Sequence, residues 1–155
     1  MDNLSEARLQ LVCPALAAKI RALAIAVTTE PIRVTQGLRS WADQQKLYDQ
    51  GRTTPGEIVT QAAPGHSWHE FGLAVDVAPF DAAGQPDWNL QHPIWRTIIR
   101  VGESLGLYSG DEFCRLKDDP HFQLTGTWPV SPNDEVRQMF LEQGMEAVWQ
   151  QAGLI

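Results

Sequence analysis

From Pro14 onward the apolar residues Leu16, Ile20, Leu23, Ala24 and Val27 recur every three or four positions. That period turns them onto one face of a helix, and proline suits the first turn, where its missing N–H has no intrahelical partner. Ile32 to Gly37, IRVTQG, is β-branched and short and ends at glycine, the pattern of a strand. Ser40 then caps a predicted helix running to Gly51, and residues 52–65, RTTPGEIVTQAAPG, carry turn residues at both ends and read as a long surface loop. GLAVDVAPF alternates as a strand does, with Leu73, Val75 and Val77 on one face and Ala74, Asp76 and Ala78 on the other. A carboxylate between two alanines leaves room on its own face for another group.

After a Gly/Pro/Asp-rich loop over 81–89, HPIWRTIIRVGESLGL has Ile94, Ile98, Val101 and Leu105 at helical intervals. PHFQL is a short strand with His121 and Gln123 on one face and Phe122 and Leu124 on the other. Ser131 and Pro132 open a last amphipathic helix reaching about Trp149. No repeat, low-complexity tract or linker interrupts the chain. The expectation is one domain over 1–155 with an α+β fold, a small antiparallel sheet packed against several helices.

Charge narrows the partners. Twelve Lys and Arg against 19 acids give a formal charge of -7, so a nucleic-acid footprint of clustered basic residues is not expected. No apolar run approaches the ~20 residues that cross a bilayer. The start, MDNLSEARLQLVCP, has acids where a signal peptide needs positive charge. On that reading the chain is made in the cytoplasm without a signal peptide, and a monomer is expected. Cys13 and Cys114 are too few and too far apart for a thiolate metal site, and two buried thiols are the expectation.

Chemistry concentrates in GHSWHEFGLAVD and KDDPHFQ. His69 lies seven residues before Asp76, and Asp76 and His121 occupy the polar faces of the two predicted strands. Two imidazoles and a carboxylate make a three-ligand set for zinc, which in catalytic sites keeps a fourth position open. Taken singly, each histidine also fits an ordinary structural or surface residue. Asp118, three residues before His121, is close enough to act as a base toward an activated water; its other reading, with Asp119, is an acidic turn before Pro120.

SWHEFGLAVD fits the pattern S-x-H-x-x-G-x-A-x-D, and DDPHFQ fits D-x-x-H-F-[EQ]. Both resemble the signatures of peptidoglycan-cleaving zinc peptidases, the group of the L-alanyl-D-glutamate endopeptidases of phage lysis and the D-alanyl-D-alanine carboxypeptidases. QGLRSWADQQKLYDQGRTTPGEIVTQA resembles the segment these endopeptidases carry ahead of the zinc motif, so the resemblance spans roughly Pro14 to Leu124. It implies that His69, Asp76 and His121 hold zinc, that Asp118 is the general base, and that Arg39 steadies the oxyanion of the tetrahedral intermediate. It also implies that Ser67 contacts substrate or is a turn hydroxyl, and that Gln44 lines or supports the site. Asp43 stands where relatives often have Glu, and Asp118 is shorter than the Glu of the carboxypeptidase branch.

The resemblance therefore implies a zinc endopeptidase acting on the L-alanyl-D-glutamate bond of peptidoglycan stem peptides, a lysin that reaches the wall after release. A D-alanyl-D-alanine carboxypeptidase is the alternative. A non-catalytic zinc-containing wall-binding domain is the alternative of another class, disfavoured because it has no need of an acid beside its last ligand. His66 and Glu70 are candidates for orienting a ligand ring, whereas His92 reads as a helix-start residue with no site role. Trp95 and Trp149 are expected in the core; Trp41, Trp68, Trp88 and Trp128 fall at loops or helix starts, where glycan contact is possible. Only 34 residues follow His121 in this sequence, so no separate wall-binding module is expected.

Overall fold

The computed structural model describes residues 1–110 and 118–155, excepting the side chains of 118 and 119. Six α-helices flank a four-stranded sheet among these residues. In chain order they are α1 (Asn3–Leu9), α2 (Pro14–Ala26), β1 (Ile32–Gln36), α3 (Trp41–Asp49), a 3-10 turn (Trp68–Phe71) and β2 (Ala74–Pro79). Then follow α4 (Pro93–Ser104), β3 (Tyr108–Gly110), β4 (Asp118–Gln123), α5 (Asp134–Gln143) and α6 (Met145–Gln151). The sheet order is β1-β2-β4-β3, with every pair antiparallel. This is the expected α+β class.

The predicted core helix is α2, and its period buries Leu16, Ala17, Ile20 and Leu23. Each large side chain withdrawn from water in this way contributes on the order of 1.5–3 kcal/mol. Ser40 caps α3 as expected, its hydroxyl accepting from the Asp43 N–H at 3.1 Å. α1, which the sequence pattern does not announce, covers the free edge of β1. The Ser5 hydroxyl accepts from the Val34 N–H at 3.0 Å, and an Arg8 guanidinium N–H donates to the Val34 carbonyl at 2.6 Å, so an open strand edge is satisfied by side chains.

The expected final helix is two. It starts after Asn133, whose side chain caps α5 by accepting from the Val136 N–H at 3.0 Å, and breaks at Gly144, where φ is 86°. The break turns α6 back so that the Trp149 indole N–H donates to the Phe71 carbonyl at 2.8 Å. β3, three residues long, carries too little alternation to be read in advance.

Register does the positioning that matters for chemistry. Across β2 and β4, Asp76 stands directly opposite His121, and across β1 and β2 it stands opposite Gln36. Ala74 and Ala78, its neighbours on the same face, are fully buried, while Asp76 itself stays partly open. The small side chains leave the space that the alternation predicts.

Candidate metal centre

His69 comes from the 3-10 turn that leads into β2. The turn ends at Gly72 in the left-handed region, φ 64°, and a Cβ there would stand 3.0 Å from Trp149 and 3.1 Å from the Met145 sulfur, so glycine is required on both counts. The loop after β1 grips His69 twice. Gly37 O lies 2.9 Å from Nδ1 of the ring, and the Arg39 N–H donates to the His69 carbonyl at 3.1 Å. A carbonyl only accepts, so the neutral ring carries its proton on Nδ1 and leaves Nε2 with a bare lone pair.

The second imidazole is fixed in the opposite sense. Nε2 of His121 lies 3.0 Å from Oε1 of Gln123, and the Gln123 amide nitrogen donates to the Val130 carbonyl at 2.9 Å, which sets that amide's orientation. The proton of His121 therefore sits on Nε2, and Nδ1 is the bare atom.

Three lone-pair atoms now converge: Nε2 of His69, Nδ1 of His121 and Oδ1 of Asp76. Their separations are 3.1 Å (His69 to Asp76), 3.2 Å (His69 to His121) and 3.4 Å (His121 to Asp76). A tetrahedral ion with bonds of about 2.0–2.1 Å needs ligand atoms about 3.3–3.4 Å apart, so the three atoms match one face of such a shell. Three acceptors this close repel one another unless a cation joins them. In the metal-free protein under acid conditions, where the two imidazoles take up protons, burial acts to raise the Asp76 carboxyl, but the charges and N–H bonds of His69 and His121 outweigh it and hold Asp76 well below the usual carboxylate range.

Arg39 stands beside this cluster, 3.8 Å from Oδ2 of Asp76 and mostly buried. One guanidinium N–H donates to the Gln44 side-chain oxygen at 2.8 Å, and the Gln44 amide N–H donates to the Ala62 carbonyl at 2.7 Å. Gln44 is wholly buried, so it stands behind Arg39 and ties the 52–65 loop to it. Arg39 Nε is buried without a hydrogen-bond partner among the described residues. Ser67, half-buried, precedes the 3-10 turn, where its N–H donates to the Glu70 carboxylate at 3.0 Å.

Glu70 turns away from the ligand rings. It is buried and accepts from the backbone N–H groups of Gly65 and Ser67, at 2.8 and 3.0 Å, closing the turn ahead of His69. Burial pushes its carboxyl up, and those N–H groups offset part of the rise. His66 is exposed and faces Arg137. The groups that hold the ligand rings are the Gly37 carbonyl and Gln123. A backbone carbonyl leaves no trace in a sequence, but Gln123 was marked by the strand alternation that puts it on the face of His121. Asp118 opens β4 opposite Gly110, and the expected role of its side chain, like the state of Cys114, lies outside the described residues.

The tryptophans divide differently from expectation. Trp68 and Trp128 are buried, their indole N–H groups donating to the Val130 and Val148 carbonyls at 2.8 and 2.9 Å; Trp88 is 52% exposed and stacks on buried Trp95. His92 precedes α4 as expected, and its Nδ1 is 3.0 Å from Asp87 and 3.7 Å from Glu30, a half-exposed cluster.

The comparisons with known proteins converge on this site. The family model described as D-alanyl-D-alanine carboxypeptidase matches residues 60–124, the stretch holding His69, Asp76 and His121. The L-Ala D-Glu endopeptidase ChiX of Serratia marcescens is 33% identical, covering 81% of this chain and 89% of that one with a TM-score of 0.60. The chain belongs to this metallopeptidase family. Another relative in the family, the peptidoglycan L-alanyl-D-glutamate endopeptidase CwlK of Bacillus subtilis, is 36% identical over 98 residues, and that match spans 59% of each chain. A D,D-pentapeptidase VanY solved in complex with Zn(II) shares the fold at 17% identity, with a TM-score of 0.54 over 86% of this chain and 80% of that one. No helix among the described residues is long and apolar enough to cross a membrane.

Proposed function

We propose that the protein is a zinc-dependent endopeptidase that hydrolyses the L-alanyl-D-glutamate bond of peptidoglycan stem peptides. The observation that carries the reading is the convergence of His69 Nε2, Asp76 Oδ1 and His121 Nδ1 at 3.1–3.4 Å, each imidazole turned by its own partner so that a bare lone pair faces the others. Two nitrogens and one oxygen at tetrahedral spacing suit zinc first. Bound there, zinc would supply Lewis acidity toward the scissile carbonyl and lower the pKa of water toward neutrality.

The chain's own residues do the rest. Gly37 and Gln123 hold the two imidazoles in the ligating tautomer, and Asp76, kept ionised, contributes negative charge. Arg39, anchored by Gln44, directs a permanent positive charge to the rim of the cluster, where it stabilises the oxyanion that develops on the substrate carbonyl. Asp118 takes the proton from the attacking water and passes it to the leaving amine. Ser67, at the edge of the same turn, is a substrate-contacting group.

The relatives CwlK and ChiX, both L-alanyl-D-glutamate endopeptidases, support the choice of bond; a lysin that reaches the wall after release is the role proposed with it. The second reading, a D-alanyl-D-alanine carboxypeptidase, is favoured by the description of the family model over 60–124. Digestion of purified sacculi separates the two. New amino termini on D-glutamate support the endopeptidase; release of free D-alanine without them supports the carboxypeptidase and leaves the metal site standing.

A further inference from the structure

The Val130 carbonyl collects two side-chain donors from separate parts of the chain: the Trp68 indole N–H at 2.8 Å and, from seven residues upstream, the Gln123 amide N–H at 2.9 Å. Trp68 immediately precedes His69, and Gln123 lies two residues after His121 and bonds its ring. One backbone oxygen thus joins the chain neighbour of His69 to the ring partner of His121. Trp68 and Gln123 are both 2% exposed, whereas Val130 is 49% exposed, so what this position contributes to the buried network is its carbonyl and not its side chain.

A primary amide can present either end to an imidazole. With its oxygen toward Nε2 of His121, as here, the ring must carry its proton on Nε2 and bare Nδ1 toward His69 and Asp76. With its NH2 group toward Nε2, the proton moves to Nδ1 and points into the cluster, where it blocks ligation. The two orientations differ little in shape. What separates them is the far end of the amide: a nitrogen donates to the Val130 carbonyl, whereas an oxygen placed there would face another acceptor, a loss on the order of a buried hydrogen bond.

We propose that Gln123, locked by the Val130 carbonyl and seconded by Trp68, is a positioning residue that selects the ligating tautomer of His121. The inference rests on the proposed metal site. It says that the loop leading from β4 to α5, which holds no ligand, sets metal affinity through one backbone oxygen.

The test uses the full chain and zinc itself. Two readouts are taken: the zinc dissociation constant by competition with a chromogenic chelator, and the His121 tautomer in metal-free protein by imidazole nitrogen NMR at about pH 8.5, above the ordinary imidazole range. Gln123→Met, similar in shape but without the amide, should weaken zinc about 10–100-fold, the usual cost of losing a group that orients a ligand, and should leave His121 a mixture of tautomers. Gln123→Glu presents an acceptor to Nε2 from either oxygen and should restore both readouts, at a cost in folding stability where its second oxygen faces the Val130 carbonyl. Trp68→Phe should weaken zinc with Gln123 present and add nothing in the Gln123→Glu background, because the amide no longer has an orientation to lose.

Gln123→Met with wild-type affinity and an unchanged tautomer would overturn the proposal. Equal losses from Trp68→Phe in both backgrounds would sever the link through Val130. Failure of the wild-type chain to bind zinc would instead defeat the metal site, and the tautomer readout, taken without metal, distinguishes the two failures.

Discussion

Gly102 faces the site from behind, and its replacement by alanine gives a prediction that can be worked from distances. It lies in α4, buried against Phe122, and a Cβ built there would stand 2.3 Å from one edge carbon of the Phe122 ring and 3.0 Å from the next two. Ordinary contact begins near 3.4 Å, so the ring or the helix must retreat by about 1.1 Å. Phe122 has no exposed surface into which to swing. Overpacking of this kind costs about 1–3 kcal/mol, and the better helix propensity of alanine returns up to about 1. The net loss is on the order of 1–2 kcal/mol, which for a chain of this size lowers Tm by roughly 2–8 °C. Calorimetric melting of Gly102→Ala against wild type reads it, both in the presence of chelator. Phe122 stands between His121 and Gln123 on β4, so the variant should also bind zinc more weakly. In a Phe122→Leu background the ring is gone, and the added methyl should be neutral or stabilising. A single variant melting at or above wild type would refute the packing argument.

Arg39→Ala should lower kcat by about 10²–10³-fold with metal content unchanged, because it removes charge from the developing oxyanion and no ligand; steady-state kinetics with elemental analysis checks both halves. Asp118→Asn should keep the metal and lose about 10²–10⁴-fold in kcat with little change in KM, the contribution of a positioned base; a variant turning over at the wild-type rate removes Asp118 from the mechanism. Metal-free protein should lose stability as pH falls through and below the ordinary aspartate value of 3.8, since Asp76 holds its proton less readily folded than unfolded and its contribution is present only above that range. Chemical denaturation across pH 2.5–5 should show a shallower acid limb for Asp76→Asn; an identical limb contradicts the assigned shift.

How much of this was legible beforehand depends on what each residue does. Period and alternation suffice for α2, for β2 and for the faces of β4, because burial on one side is written directly into Leu16, Ile20 and Leu23 or into Val75 and Val77. The gap that Ala74 and Ala78 leave around Asp76 was legible for the same reason. The proposed ligand set came from the resemblance to zinc peptidases, since spacing alone left each histidine open to a structural or surface role; the structure brings His69, Asp76 and His121 together. α1 was not, since its purpose is to satisfy the edge of β1 through Ser5 and Arg8, a tertiary role with no periodic signature. The break between α5 and α6 hung on Gly144 alone, and glycine within a helical pattern is ambiguous. Trp68 and Trp128 looked like loop aromatics because the carbonyls that bury their indole N–H groups, at Val130 and Val148, come from distant parts of the chain.

The central claim is the metal centre, and metal content with a matched set of ligand variants tests it most directly. Protein purified without added metal, then equilibrated with zinc and freed of excess, should carry one zinc per chain by elemental analysis. Chelation should remove it and lower Tm, because an ion bound only by the native state stabilises that state. His69→Ala, Asp76→Ala and His121→Ala should each lose stoichiometric zinc while Arg39→Ala keeps it. Full zinc occupancy in His121→Ala, or none in the wild-type chain, would contradict the account.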